Sequence, residues 1–151
     1  MARGSVAVFL VTGALCACAN SRPHDPYTAT EAPTEHVIAI SDDKGGDIIS
    51  YGIHYESLAK SGSRFAIDGE CASACTQVLG LGPERVCATH RAALLFHKGS
   101  SDFGTALLWA KYPRPLQAWL NRRGGLTDHV ISLHWPETKQ FIPDCSEGNG
   151  E

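Results

Sequence analysis

The chain has 151 residues, with 13 Lys or Arg against 16 Asp or Glu and a formal net charge of −3 when its seven histidines are neutral. That balance has no basic excess and no Lys/Arg stripe, so a surface that binds nucleic acid through its phosphates is excluded. The length suits one domain with its own core, and beyond the first residues no hydrophobic stretch suggests a membrane span.

The N-terminus reads as an export signal. Arg3 supplies a positive start and Val6–Leu15 an apolar run of ten residues. Crossing a bilayer as a helix takes about 20 such residues, so the run matches the core of a signal peptide instead. Its exit, Leu15-Cys16-Ala17-Cys18-Ala19-Asn20, offers two cleavages. Leu15 to Cys18 resembles a bacterial lipobox, whose cysteine becomes the acylated first residue; Cys16, with Leu15 directly before it, fits that pattern poorly. Ala17-Cys18-Ala19 resembles an ordinary A-x-A site, which would free a soluble protein at Asn20. Lipidation at Cys18 is favoured, which places the protein on the periplasmic side of a bacterial cell envelope with its N-terminal lipid in the membrane. Residues 1–17 are then the signal peptide and 18–35 a lipidated tether. Its stretch from Asn20 to Glu35 is polar, holds three prolines and has too little apolar surface to fold alone. Without Arg3 the balance becomes 12 basic against 16 acidic residues, or −4.

The domain spans residues 36–145. His36–Ser41 is a β-branched run read as a buried strand, ended by turn residues from Asp42 to Asp47. From Ile48 the apolar spacing is helical, with Ile49, Ile53, Tyr55 and Leu58 near one side, and it closes at Ser61-Gly62. Arg64–Asp68 is a second strand, Gly69–Cys75 a turn, and Ala74–Leu81 a short buried helix closed by Gly82-Pro83. Arg85–Ala88 and Ala92–Phe96 are further strands, the latter delivering His97. Thr105–Lys111 and Leu116–Arg123 are helical, stopped by Pro113 and by Gly124-Gly125. Thr127 is read as the cap of a third helix, Asp128–Trp135, ended by Pro136. Residues 146–151 form a polar tail. Strands alternating with helices argue for an α/β domain.

Four cysteines remain outside the leader: Cys71, Cys75, Cys87 and Cys145. An even number in an exported chain reads as disulfides, with three pairings open. Cys71–Cys75 with Cys87–Cys145 is preferred. A zinc site would need a second ligand pair at finger-like spacing to match C-x-x-x-C, and none is present, so no metal is expected. His54, His90, His129 and His134 are read as surface or half-buried structural residues. Trp109, Trp119 and Trp135 are read as packing for the core or a subunit contact.

Three segments share a chemical logic. The Gly45-Gly46 turn between strand and helix leaves backbone N–H groups free where negative charge is attracted. Ser73 lies between Ala72 and Ala74, too small to cover its hydroxyl, and His97 ends an apolar strand where it can accept the serine proton. A nucleophile, a base and an oxyanion site are the minimum for acyl transfer.

In order and spacing these stretches resemble the Clp-type peptidases of the crotonase superfamily. The resemblance rests on I-A-I-S-D-D-K-G-G, then C-A-S-A-C-T, then A-A-L-L-F-H-K-G. Gly46 precedes Ser73 by 27 positions and Ser73 precedes His97 by 24, separations similar to the family's. The C-A-S-A-C-T stretch is similar to a periplasmic branch, many of whose members have no assigned activity. The resemblance implies a single small α/β domain built as a spiral of ββα units. It implies Ser73 as nucleophile, His97 as general base, and the amides of Gly46 and Ala74 as oxyanion hole. The expected reaction is hydrolysis of a peptide or other acyl bond without a cofactor, with an extended peptide or protein substrate along the strand edge near Gly45-Gly46. Homo-oligomerisation through the helical C-terminal part is also implied.

The sequence departs from the family in two places. The aspartate that orients the histidine falls here at His134 or Trp135, and Lys44 replaces the proline of the glycine turn. Asp128, Glu137 and Asp144 lie off that position. A second reading follows, a non-catalytic binding or assembly module that lacks the third triad member. A Ser-Lys pair using Lys44 or Lys98 has no matching family position, and a Cys75 nucleophile needs a reduced thiol that the compartment disfavours.

Overall fold

The computed structural model describes residues 36–146. The signal peptide, Cys18, the tether and residues 147–151 of the tail lie outside the described residues.

The chain builds β1 (Val37–Ile40), α1 (Ile48–Lys60), β2 (Arg64–Ile67) and β3 (Glu70–Ala72), then a 3-10 helix over Ser73–Leu81. It continues with β4 (Val86–Ala88), β5 (Ala93–Phe96), α2 (Asp102–Lys111), α3 (Arg114–Asn121), β6 (Ile131–His134) and a short 3-10 turn at Glu137–Gln140. The strands form two three-stranded sheets. One has the order β1-β2-β4 and is all parallel; the other is β3-β5-β6, with β3 parallel and β6 antiparallel to β5.

The path between the sheets repeats. β2 enters the first sheet, β3 the second, and the Ser73 helix follows; β4 enters the first, β5 the second, and α2 follows. The first turn is an abbreviated copy: β1 lies in the first sheet, Asp43 bridges Cys71 of the second in parallel, and α1 follows. The result is the spiral of ββα units that the sequence resemblance implies, in a small α/β domain with one parallel and one mixed sheet.

Local sequence explains the elements. In β2 the period-2 alternation buries Phe65 and Ile67, 1% and 0% exposed, while Arg64 and Ala66 stay half-buried. Asp47 caps α1 by accepting from Ser50 N at 2.8 Å, and Ser101 caps α2 by accepting from Gly104 N at 3.1 Å. Phe96, Leu108, Leu116, Trp119, Leu120 and Leu133 are buried together between the second sheet and the helices beyond it. The free edge of β4 is covered by the C-terminal segment: Ala88 N donates to Pro143 O and Cys145 N to Ala88 O.

Both preferred disulfides form, Cys71–Cys75 and Cys87–Cys145. Two disulfides in so small a domain point to an oxidising, extracytoplasmic compartment.

Several elements differ from the sequence reading. The third helix expected over Asp128–Trp135 is strand β6, paired antiparallel with β5 from Phe96↔Ile131 to Ala93↔His134. The turn expected from Gly69 to Cys75 contains β3, held by parallel pairing to β5. β1 is only partly buried: Ile40 is covered, but Val37, at the outer end of an edge strand, is 55% exposed. α2 and α3 begin earlier than expected, at the Ser101 cap and at Arg114 beside Pro115. Of the three tryptophans, Trp119 is the buried one, at 2% exposed.

Candidate functional site

Ser73 begins its helix in a left-handed conformation, φ 54°, which residues other than glycine rarely adopt. Such a conformation costs about 1–3 kcal/mol and persists only where its surroundings hold it. Three contacts do so. Cys71 and Cys75 are bridged across the serine, and both are 0% exposed. The Thr76 hydroxyl donates to Ser73 O at 2.6 Å and in turn lies 2.6 Å from Tyr112 OH, the donor to it. One turn on, Gln77 Nε2 donates to Ile48 O, tying the Ser73 helix to the start of α1. Burial pushes the Tyr112 phenol up to about 12, which keeps it a neutral donor. Ser73 itself is half-buried and its hydroxyl makes no hydrogen bond among the described residues.

The glycine turn nests directly against this elbow. A Cβ on Gly45 would stand 2.5 Å from Ala72 O and 2.9 Å from Ala74 N, and its φ is +80°. Only glycine permits that approach. Among the described residues, neither Gly46 N–H nor Ala74 N–H donates a hydrogen bond, and Ala72, at the cap position of the Ser73 helix, has no capping side chain. Two free amides therefore flank the serine, one at a helix start whose partial charge is positive.

His97 follows β5 directly, and its Nδ1 lies 2.7 Å from Lys98 O. A carbonyl only accepts, so Nδ1 carries the proton and a neutral imidazole presents Nε2 as acceptor. Lys98 is anchored on the loop before β6: its N donates to Thr127 O at 2.8 Å, and its Nζ pairs with Asp128 Oδ2 at 3.0 Å. Of the other carboxylates weighed as a third member, Glu137 takes Trp119 Nε1 and Arg123, and Asp144 takes Ser146 and Lys139. No hydrogen bond joins Ser73 Oγ to His97 among the described residues.

Gly46, Ser73 and His97 line one cleft of about 310 Å³, with Ile49, Phe103 and Leu107 among its apolar walls. Ile49 and Phe103 are 55% and 67% exposed, so the mouth has an open hydrophobic rim. Lys44 and Lys98 do not line this cleft; each is paired with a carboxylate, Glu70 and Asp128. The hydrogen bond that Lys44 Nζ donates to the Glu70 carboxylate raises the lysine's pKa, the opposite of what a lysine base needs. Cys75 is consumed in its disulfide.

Sequence reasoning missed three contributors. Asp43 and Tyr51 brace the glycine turn: Asp43 Oδ1 accepts from Gly45 N at 2.8 Å and from Tyr51 OH at 2.6 Å. The D-x-G pattern of Asp43-Lys44-Gly45 was the available signal, since an aspartate two residues before a glycine favours such a turn. The Lys98 carbonyl, the third, has no signature in sequence.

No family model matches the chain, and no curated protein matches it. Among solved structures, the chain is similar to a ClpP1 mutant from Listeria monocytogenes, at 14% identity and a TM-score of 0.48, over 76% of this chain and 78% of that one.

Proposed function

We propose that the protein is a serine hydrolase of the bacterial envelope, anchored by a lipid on Cys18 and cleaving peptide or other acyl bonds with Ser73 and His97. The observation that carries this reading is the convergence of a left-handed Ser73, His97 and Gly46 on one cleft.

In this reading Ser73 Oγ attacks the acyl carbon as His97 Nε2 takes its proton. The carbonyl oxygen becomes an oxyanion and receives the amides of Gly46 and Ala74. The imidazolium then protonates the leaving group, and water hydrolyses the acyl-enzyme with His97 again as base. The Lys98 carbonyl holds the imidazole in the productive tautomer. It supplies a dipole where a carboxylate supplies a full charge, and loss of an orienting carboxylate lowers kcat by on the order of 10⁴. Turnover is therefore expected to be slow, and covalent labelling is the sensitive readout.

The test is a fluorophosphonate probe on the mature protein. Wild type should label at one site, Ser73→Ala should not label, and His97→Ala should label at least ~100-fold more slowly. Unlabelled wild type, or equal labelling of Ser73→Ala, removes the hydrolase reading. The imidazole resting on a carbonyl where an acid is expected favours a second reading, a cleft that binds peptide without cutting it. Peptide binding that survives Ser73→Ala in a protein that never labels would establish that alternative.

A further inference from the structure

We propose that Asp43 is a positioning residue for the cleft: its carboxylate sets the Gly45-Gly46 turn against the Ser73 elbow. The catalytic consequence rests on the hydrolase reading above; the positioning itself does not.

Asp43 joins β3, the glycine turn and α1. Its main chain bonds to both ends of β3: Asp43 N donates to Glu70 O at 2.9 Å, and Ala72 N donates to Asp43 O at 2.8 Å. Ala72 immediately precedes Ser73, so the residue is registered directly to the elbow. Its side chain turns to the other partner. One oxygen, Oδ1, accepts from Gly45 N at 2.8 Å and from Tyr51 OH at 2.6 Å. Tyr51 comes from the first turns of α1, and a Cβ on Gly46 would stand 3.3 Å from its ring. Residues 43 to 51 thus close a ring around Gly46, with the carboxylate as its clasp.

Among the described residues Gly45 N donates no hydrogen bond except the one to Asp43. Its left-handed φ of +80° and lack of a side chain allow the nesting against Ala72 and Ala74 but also leave the turn free to adopt other conformations. The Asp43 acceptor selects one of them. A misplaced oxyanion donor matters: removal of one such donor typically costs about 10²–10³ in rate.

The substitutions separate this role from general stability. Asp43→Asn keeps an oxygen acceptor for both donors and should label with fluorophosphonate within about threefold of wild type. Asp43→Ala removes the acceptor and should label roughly 10- to 100-fold more slowly under conditions where it is fully folded, less than the loss of a whole donor because the amide is misaimed and not removed. Tyr51→Phe removes one of the two bonds and should fall between them. In parallel, amide hydrogen exchange is followed residue by residue. Gly45 N–H should exchange at least ~10-fold faster in Asp43→Ala, while amides of the β5–β6 ladder keep their protection. Asn-level rescue with Ala-level loss supports the proposal. Asp43→Ala labelling at the wild-type rate, or unchanged Gly45 exchange, overturns it. If wild type itself does not label, the hydrolase reading falls and the exchange measurement alone decides for or against Asp43; should Asp43→Ala fail to fold, Tyr51→Phe carries both readouts.

Discussion

Two glycines with similar backbone angles allow the cleft's geometry to be tested at single residues. Gly45 and Gly62 have φ of +80° and +91°, so alanine at either site pays a left-handed penalty of about 1–2 kcal/mol. Their surroundings differ. Around Gly62 a Cβ would meet nothing within 4 Å, whereas at Gly45 it would meet backbone of the Ser73 elbow at 2.5 Å. That backbone is fixed by the Cys71–Cys75 bridge and cannot yield cheaply. Gly62→Ala should therefore lose only the conformational penalty, read by urea denaturation, and keep fluorophosphonate labelling. Gly45→Ala should lose more stability and also lose labelling. Equal behaviour of the two variants would mean that the turn does not press on the serine as described.

Between elements, Asp68 at the end of β2 pairs with Arg91 before β5, and also accepts from Thr89 Oγ1 at 2.7 Å. Hydrogen bonds from Arg91 and Thr89 bring its pKa down from 3.8 to about 2. A carboxylate with a depressed folded pKa contributes stability that is fully present above its unfolded value and is lost as pH falls through the folded one. Thermal unfolding should show this loss between about pH 4 and pH 2, and Asp68→Asn should flatten that part of the profile; an unchanged slope would discard the pair as a stabiliser. The same scale shows how far the sequence could be read. β2, β4 and β5 carried their own period and stop signals and appear where those signals stand; α1 also lies where expected, but of the apolar side read for it Tyr55 is buried while Ile49 and Ile53 are 55% and 65% exposed. β6 did not, because two signals competed. Thr127 and Asp128 look like a helix start, while Ile131, Leu133 and Trp135 alternate with Ser132 and His134 as in a strand. Pairing with β5, which buries Leu133 completely, decided in favour of the strand. Ser73, His97 and Gly46 were legible because each sits at an element end with a recognisable turn or apolar run. Asp43 had a local signal in its D-x-G turn, whereas its bond from Tyr51 and the contact of His97 with the Lys98 carbonyl arise only in the folded chain.

For the molecule as a whole, the two disulfides make separable contributions. Cys87–Cys145 closes a loop with a sequence separation of 58 and pins the C-terminal segment along β4, while Cys71–Cys75 spans a separation of 4. On the chain-entropy argument, the longer loop stabilises by about 4 kcal/mol and the shorter by about 2 kcal/mol. Their places in the spiral reverse that ranking for the cleft. The short bridge brackets Ser73 and both its sulfurs are buried in the core; the long one lies at the far edge of the other sheet. Paired alanine substitutions should therefore cross over. Cys87→Ala with Cys145→Ala should lower stability more, yet leave the labelling rate of Ser73 close to wild type at temperatures where the domain stays folded. Cys71→Ala with Cys75→Ala should lower stability less and slow labelling at least ~10-fold, because the left-handed serine then loses a restraint that offsets its conformational cost. Denaturation and labelling on the same two preparations give the answer. Labelling that simply follows stability in both pairs would reduce the short bridge to a staple and leave the serine's conformation to its hydrogen bonds.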